Sequence, residues 1–151
     1  MGIPHKFQKV KDHRELCRAA RVHGAVVVLP HPYDHHELNK INFELIDCIE
    51  IFNSRSSPSN NKKAAELAKR LNKKVIYGSD AHMLKDNLNC PFVYSGNSPF
   101  EAIPEPLLLR LTSVLRKDAS QLIKGVKQKD LRLLLKTLIN LSKNMLTTKK
   151  R

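Results

Sequence analysis

The sequence is poor in side chains that stack on nucleic-acid bases: it has no tryptophan, and 5% of its 151 residues are aromatic. That scarcity argues against a dedicated single-strand nucleic-acid binder. It also lacks long apolar runs, because the longest, AVVVLP, covers only residues 25–30 and is far too short to cross a bilayer. The first residues, MGIPHKFQKVKDH, have no apolar region typical of a secretory signal. These absences predict a cytoplasmic protein with no membrane span.

Cysteine is also scarce. The sequence has an odd number of cysteines, the three residues Cys17, Cys48 and Cys90, and no two of them form a C-x-x-C pair. This pattern excludes a disulfide framework and gives no sign of a zinc motif. We expect reduced thiols that pack as small apolar groups in a reducing compartment.

Acidic residues are nearly missing from the last part of the chain. Residues 107–151 hold 12 Lys/Arg against 2 Asp/Glu, whereas residues 1–106 hold 15 against 12, so most of the net charge of +13 lies in the tail. A basic amphipathic helix could bind nucleic-acid phosphates, lie on an anionic membrane, or present the solvated face of a packed helix. The sequence leaves these three uses open.

What the chain does contain is a regular alternation of helical and apolar segments. Capping residues predict a helix from Asp12 to Gly24, and Asp34 with Glu37 predicts a short helix whose first turn exposes His35 and His36. Apolar runs predict strands at 25–29, 46–53 and 74–78. The segment 57–73, between the last two, is predicted to be a helix with one apolar stripe formed by Ala64, Leu67, Ala68 and Leu71. The alternation indicates βαβ units and a parallel α/β sheet or barrel.

After residue 83 the pattern changes. NCPFVYSGN (89–97) predicts a short edge strand, SPFE (98–101) a helix start, and the remainder an all-helical segment with Leu131, Leu134, Leu135, Leu138, Leu141 and Met145 on one stripe. We therefore divide the chain into an α/β domain at 1–95 and a helical, strongly basic extension at 96–151.

Polar side chains follow each predicted strand: PHPYD after the first, NSR after the second, and SDAH after the third. Because the carboxyl ends of parallel strands open on one face, we expect His31, Asn53, Asp80 and His82 to gather there. Asp80 and His82, two residues apart in extended backbone, point the same way and could hold one ion or two adjacent ions. Mixed imidazole and carboxylate donors favour Mn, Zn or Fe over Mg or Ca. The alternative is a set of polar turns without chemistry.

The pairing of LPHP, IEIFNSR and GSDAH resembles the C-terminal part of PHP-domain proteins, the polymerase and histidinol phosphatase superfamily, over about Asp12 to Leu88. The resemblance implies a portion of a distorted (β/α)7 TIM-like barrel that binds divalent metal ions and hydrolyses phosphate esters. Position by position, it makes His31, Asp80 and His82 metal ligands, with Asp80 and His82 catalytic. It also implies that Glu50 supports the site and that Asn53 and Arg55 contact the substrate.

The family's opening His-x-His motif has no counterpart in this sequence. We therefore expect a truncated domain that binds metal weakly and hydrolyses little on its own. The alternative function is a non-catalytic remnant that binds nucleic acid or protein through its basic helices. Half a barrel would expose apolar strand edges, which would favour homo-oligomers.

Overall fold

The computed structural model describes residues 12–91 and 106–148, with side chains of the last helix described as far as Asn144. The described chain is mixed α/β, with helices around a small parallel sheet. Its helices and strands are α1 His13–Val22, β1 Val28–Leu29, β2 Cys48–Asn53, α2 Pro58–Arg70, β3 Lys74–Gly78, α3 Val114–Gln128 and α4 Leu131–Thr148. Short 3-10 turns lie at Leu38–Lys40, Phe43–Leu45 and Leu84–Asn89.

The three strands pair in sequence order, β1-β2-β3, and both pairings are parallel. Val28 lies opposite Cys48, and Asn53 lies opposite Gly78, with a register shift between Glu50 and Phe52. The carboxyl ends of all three strands therefore lie at the same edge of the sheet. This edge carries the segments that begin at Pro30, Ser54 and Ser79.

The core of the α/β unit forms where α2 packs on β2. Leu29, Ile46, Ile49, Leu67 and Ala68 are buried together. The predicted stripe on α2 is confirmed, since Ala64, Leu67 and Ala68 are buried and Leu71 is partly buried. Ser57 caps this helix by accepting a hydrogen bond from the Asn60 N–H, at 3.0 Å.

The predicted ends of α1 are confirmed. The Asp12 carboxylate accepts the Arg14 N–H at 2.8 Å, and the chain leaves the helix through Gly24, whose φ of +71° favours glycine. β1 is shorter than the predicted run at 25–29. The Val27 N–H donates to the Asp47 carboxylate at 2.8 Å. Just before the strand begins, this backbone donor is therefore bonded to a side chain and not to the backbone of a neighbouring strand.

The short helix predicted to open at Asp34 and Glu37 does not begin at Asp34, and only a single 3-10 turn, Leu38–Lys40, follows Glu37. The Asp34 carboxylate instead accepts hydrogen bonds from the Ser56 hydroxyl and from Asn60 Nδ2, and so joins the loop after β1 to the start of α2. His35 adopts a φ of 68°, which is incompatible with a right-handed helix. His35 and His36 are nonetheless exposed, as expected.

The basic part of the chain forms a helical hairpin. α3 and α4 pack together across a turn in which Lys129 takes a φ of 53°. The predicted single stripe on α4 divides in two: Leu134 and Leu141 are partly buried, whereas Leu131, Leu135 and Leu138 are exposed. The predicted helix start at 98–101, most of the edge strand at 89–97 and the domain boundary after residue 95 lie outside the described residues.

Candidate functional site at the carboxyl edge of the sheet

Glu50, on the central strand, links two of the polar segments at this edge. Its side chain is 7% exposed, and Oε2 accepts the His31 N–H at 2.6 Å and Asn53 Nδ2 at 3.1 Å. Burial raises the pKa of Glu50 above its usual range, and nearby Asp80 adds to the rise, while the hydrogen bonds from Asn53 and His31 oppose it. A carboxylate held in this way is stabilised by any cation that arrives beside it.

His31 is held in an unusual backbone conformation, with a φ of 27°. Its Nδ1 is buried and has no hydrogen-bond partner, and its ring lies 5.3 Å from the ring of His36, centroid to centroid. The pKa of His36 is lowered, first by desolvation and then by the neighbouring His31. A buried ring nitrogen without a partner costs free energy unless a proton donor or a metal ion satisfies it.

Asp80 and His82 lie in the loop after β3. Asp80 also adopts a positive φ, 45°, which is rare for a residue with a side chain, so the prediction of extended backbone at this position is wrong. His82 Nδ1 lies 2.9 Å from the backbone oxygen of Asp80 and 3.7 Å from its Oδ1. Positive φ at both His31 and Asp80 places backbone strain at two of the predicted ligand positions.

Asn53 and Arg55 are both engaged in contacts within the protein. Asn53 is buried, and its Oδ1 accepts the N–H groups of Arg55 and Ser56. Arg55 extends toward α3, where Nη2 donates to the Ser120 hydroxyl at 2.8 Å. Asn53 thus shapes the turn after β2, and Arg55 reaches from that turn to the C-terminal hairpin.

Comparison with known proteins adds two findings. Residues 58–86, from the start of α2 to the turn after His82, match the family described as PHP-associated. This segment, which contains Asp80 and His82, is thus similar to the PHP-associated family. Over these residues the predicted resemblance to the C-terminal part of PHP-domain proteins is confirmed.

An uncharacterized protein of Methanocaldococcus jannaschii is 32% identical over 131 residues. The alignment covers 76% of this chain and 55% of the relative, so the chain spans about half the length of the protein it matches. No solved structure matches the chain.

The loops at the carboxyl edge carry imidazole and carboxylate groups, but these do not form a complete set of metal ligands in the described residues. Within residues 12–91 and 106–148, no three His, Cys, Asp or Glu side chains are grouped so that they could hold a metal ion. The predicted ligands His31, Asp80 and His82 are therefore not one coordination group, although the unpartnered Nδ1 of His31 fits a ligand role. An ion at this edge would need further donors.

Reasoning from the sequence missed a second polar cluster, centred on Asp86, beside the loop that carries Asp80 and His82. Asp86 is fully buried, and its Oδ2 accepts the N–H groups of His82 at 3.3 Å and Met83 at 3.2 Å. Arg55 and Arg116 each place an Nη1 atom 3.7 Å from this carboxylate. The signal in the sequence was slight: an aspartate four residues after His82 has the spacing of a local backbone cap.

A surface cleft lies at the opposite edge of the sheet, lined by residues that include Gly24, Asp47 and Lys74. Arg21 and Asp47 form an ion pair there at 2.8 Å. None of the predicted site residues lines this cleft.

No helix of the described residues has the length and apolar content needed to cross a membrane.

Proposed function

We propose that the carboxyl edge of the sheet is part of a metal-dependent hydrolase of phosphate esters, in a portion of a PHP-type TIM-like barrel. The observation that carries the proposal is the buried carboxylate of Glu50. It binds the His31 loop directly and is close enough to Asp80 for the two charges to interact. The PHP-associated match over residues 58–86 supports the same assignment.

The roles follow from the donors. His31, Asp80 and His82 would hold divalent ions, and Mn, Zn or Fe suits this mixture of imidazole and carboxylate. A bound ion of this kind lowers the pKa of its water and offsets the charge of a phosphate group. Glu50 fixes the backbone of His31, and its own negative charge favours a cation nearby. Asn53 and Arg55 would act on substrate indirectly, through the turn that they shape.

Metal binding is the direct test. We expect Zn²⁺ or Mn²⁺ to bind the chain weakly in isothermal titration calorimetry. Asp80→Asn, which replaces an anionic oxygen donor with a neutral amide, and His31→Ala, which removes an imidazole donor, should each weaken binding by at least about tenfold. His13→Ala, at an exposed position on α1, is the matched control and should leave binding unchanged.

Hydrolysis is measured in parallel with a generic phosphate monoester. We expect little phosphate release from this chain alone, because the described donors are incomplete. Strong hydrolysis that disappears in Asp80→Asn would contradict this expectation while supporting the site. Metal binding that is insensitive to both substitutions would exclude the proposed ligands.

A second candidate function, binding of nucleic acid, rests on the surface of α4. Arg132, Lys136 and Lys143 are exposed, and their spacing places them on one stripe away from Leu134 and Leu141. A row of cations of this kind could neutralise backbone phosphates. The low aromatic content makes base stacking a minor contribution.

Salt dependence tests this second function. Affinity for labelled duplex DNA should fall steeply with added salt, and the triple variant Arg132→Gln, Lys136→Gln and Lys143→Gln should flatten that dependence. The matched control removes three exposed charges from α2, Lys62, Lys69 and Arg70. Equal effects of the two triple variants would show that binding depends on the net positive charge of the chain and not on the surface of α4.

A further inference from the structure

We propose that helix α3 is a positioning element of the candidate site: Arg116 of α3 and Arg55 hold the buried Asp86, which in turn fixes the loop that carries Asp80 and His82. This inference rests on the proposed function for its purpose, but its structural content can be tested separately. It assigns a role to part of the basic segment, whose use the sequence left open.

The first step is the bond between Asp86 and the loop. Asp86 Oδ2 accepts two consecutive backbone N–H groups, those of His82 and Met83. These bonds fix the loop immediately after Asp80, and so constrain where the His82 side chain begins. A carboxylate that accepts backbone bonds in this way is a local cap.

The second step is charge. Asp86 is fully buried, and a buried carboxylate is stable in the ionised form only when cations and hydrogen-bond donors compensate its lost hydration. Arg55 Nη1 lies 3.7 Å from Oδ2, and Arg116 Nη1 lies 3.7 Å from Oδ1. One cation thus comes from the turn after β2, and the other comes from α3.

The third step is that α3 also holds Arg55. The Ser120 hydroxyl accepts Arg55 Nη2, and Lys117 Nζ donates to the Arg55 backbone oxygen. Residues 116, 117 and 120 lie within one turn or so of helix, so one end of α3 provides all three contacts. Burial lowers the pKa of Lys117, and the Arg55 charge lowers it further, which is consistent with close packing of these cations.

The fourth step is a second anchor, on the other side of Asp80. The Ser54 hydroxyl donates to the Ser79 carbonyl and lies 2.7 Å from the Thr112 hydroxyl. The Thr112 N–H donates to the Ser54 carbonyl at 2.6 Å, immediately before α3 begins. The loop is therefore held at Ser79 and at His82, on both sides of the strained Asp80, and α3 or its approach takes part in both anchors.

Hydrogen exchange with Arg116→Gln tests the proposal. We expect the amides of His82 and Met83 to exchange about tenfold faster, whereas buried amides of α2, such as that of Leu67, keep their rates. Arg116→Lys, which keeps the charge, should restore most of the protection. Lys124→Gln, at an exposed position of α3, is the matched control.

Zn²⁺ affinity supplies the second measurement. If the proposed metal site is real, Arg116→Gln should weaken Zn²⁺ binding by about tenfold, as outer residues of metal sites do. If wild-type chain binds no Zn²⁺, the proposed function fails while the exchange measurement still decides the role of α3. Equal acceleration of all amides, or unchanged rates at His82 and Met83, would overturn the inference.

Discussion

Single residues at the carboxyl edge explain why the site has its present geometry. Glu50 is the residue through which the three polar segments influence one another, since it bonds to His31 and Asn53 and interacts with Asp80. Reasoning from the sequence gave Glu50 a supporting role on the basis of the family resemblance alone. Its position at the centre depends on which face of β2 is covered, and the near-continuous apolar pattern of that strand does not reveal this.

Glu50 should make stability depend on pH. Its folded pKa is raised above the ordinary 4.5, so the folded state binds more protons between the two values. The stabilisation that protonated Glu50 provides is complete below about pH 4.5 and is lost as pH rises through the folded pKa. Glu50→Gln should remove this loss, because glutamine is neutral and still offers an oxygen to His31 and Asn53.

The measurement is urea unfolding of both chains between pH 4 and pH 7. Stability should fall more over this range in the wild type than in Glu50→Gln. Glu66→Gln, at an exposed position on α2, is the control. Parallel pH profiles for wild type and Glu50→Gln would show that Glu50 titrates normally.

Gly78, at the end of β3, is required by the close approach of the same carboxylate. A Cβ atom at residue 78 would overlap Oε1 of Glu50. Gly78→Ala should therefore lower the free energy of unfolding by about 1–3 kcal/mol, because the backbone or the buried carboxylate must move. In a Glu50→Ala background the same substitution should cost much less, and equal costs in the two backgrounds would argue against the overlap.

At the scale of elements, α2 shows how directly a pattern can specify structure. Ser57 precedes Pro58 at the helix start, and the spacing of Ala64, Leu67 and Ala68 sets the buried face. All of this is local information, so the sequence predicted it. The loop after β1 could not be predicted in this way, because Asp34 bonds to Ser56 and Asn60, more than twenty residues away.

Substitution of the α2 cap tests the local explanation. Ser57→Ala should destabilise the chain by about 1 kcal/mol, because the Asn60 N–H loses its acceptor at the helix start. Ser59→Ala, exposed in the first turn of the same helix, should change stability by much less. Thermal unfolding of both variants measures the difference, and equal shifts would show that Ser57 does not act as a cap.

For the molecule as a whole, the predictions from the sequence held for the alternation of elements and were incomplete for the site. Strands β2 and β3 and helices α1 and α2 lie where the patterns place them. The segment around Asp86 was not predicted, since Arg55, Asp86 and Arg116 come from three separate parts of the chain. Only the folded structure brings such residues together.

The cysteines report on the folded state of the whole chain. Cys48 and Cys90 are 2% and 4% exposed, and burial, with a smaller contribution from Glu50, raises the pKa of Cys90 to about 11. Both thiols should resist alkylation at pH 8 until the chain unfolds, because the thiolate is the reactive form. Partly exposed Cys17 should react first, as mass spectrometry of the alkylated chain would show; early labelling of Cys90 would contradict its burial.

The hydroxyl pair of Ser54 and Thr112 has a consequence for the order of folding. These residues are 58 positions apart, whereas strand pairing and α2 packing join much closer parts of the chain. Contacts that close long loops carry the larger entropic cost and are expected to form late. During folding, the sheet would thus form early. The loop around Asp80 would reach its final geometry only after the hairpin of α3 and α4 packs against the turn that carries Ser54.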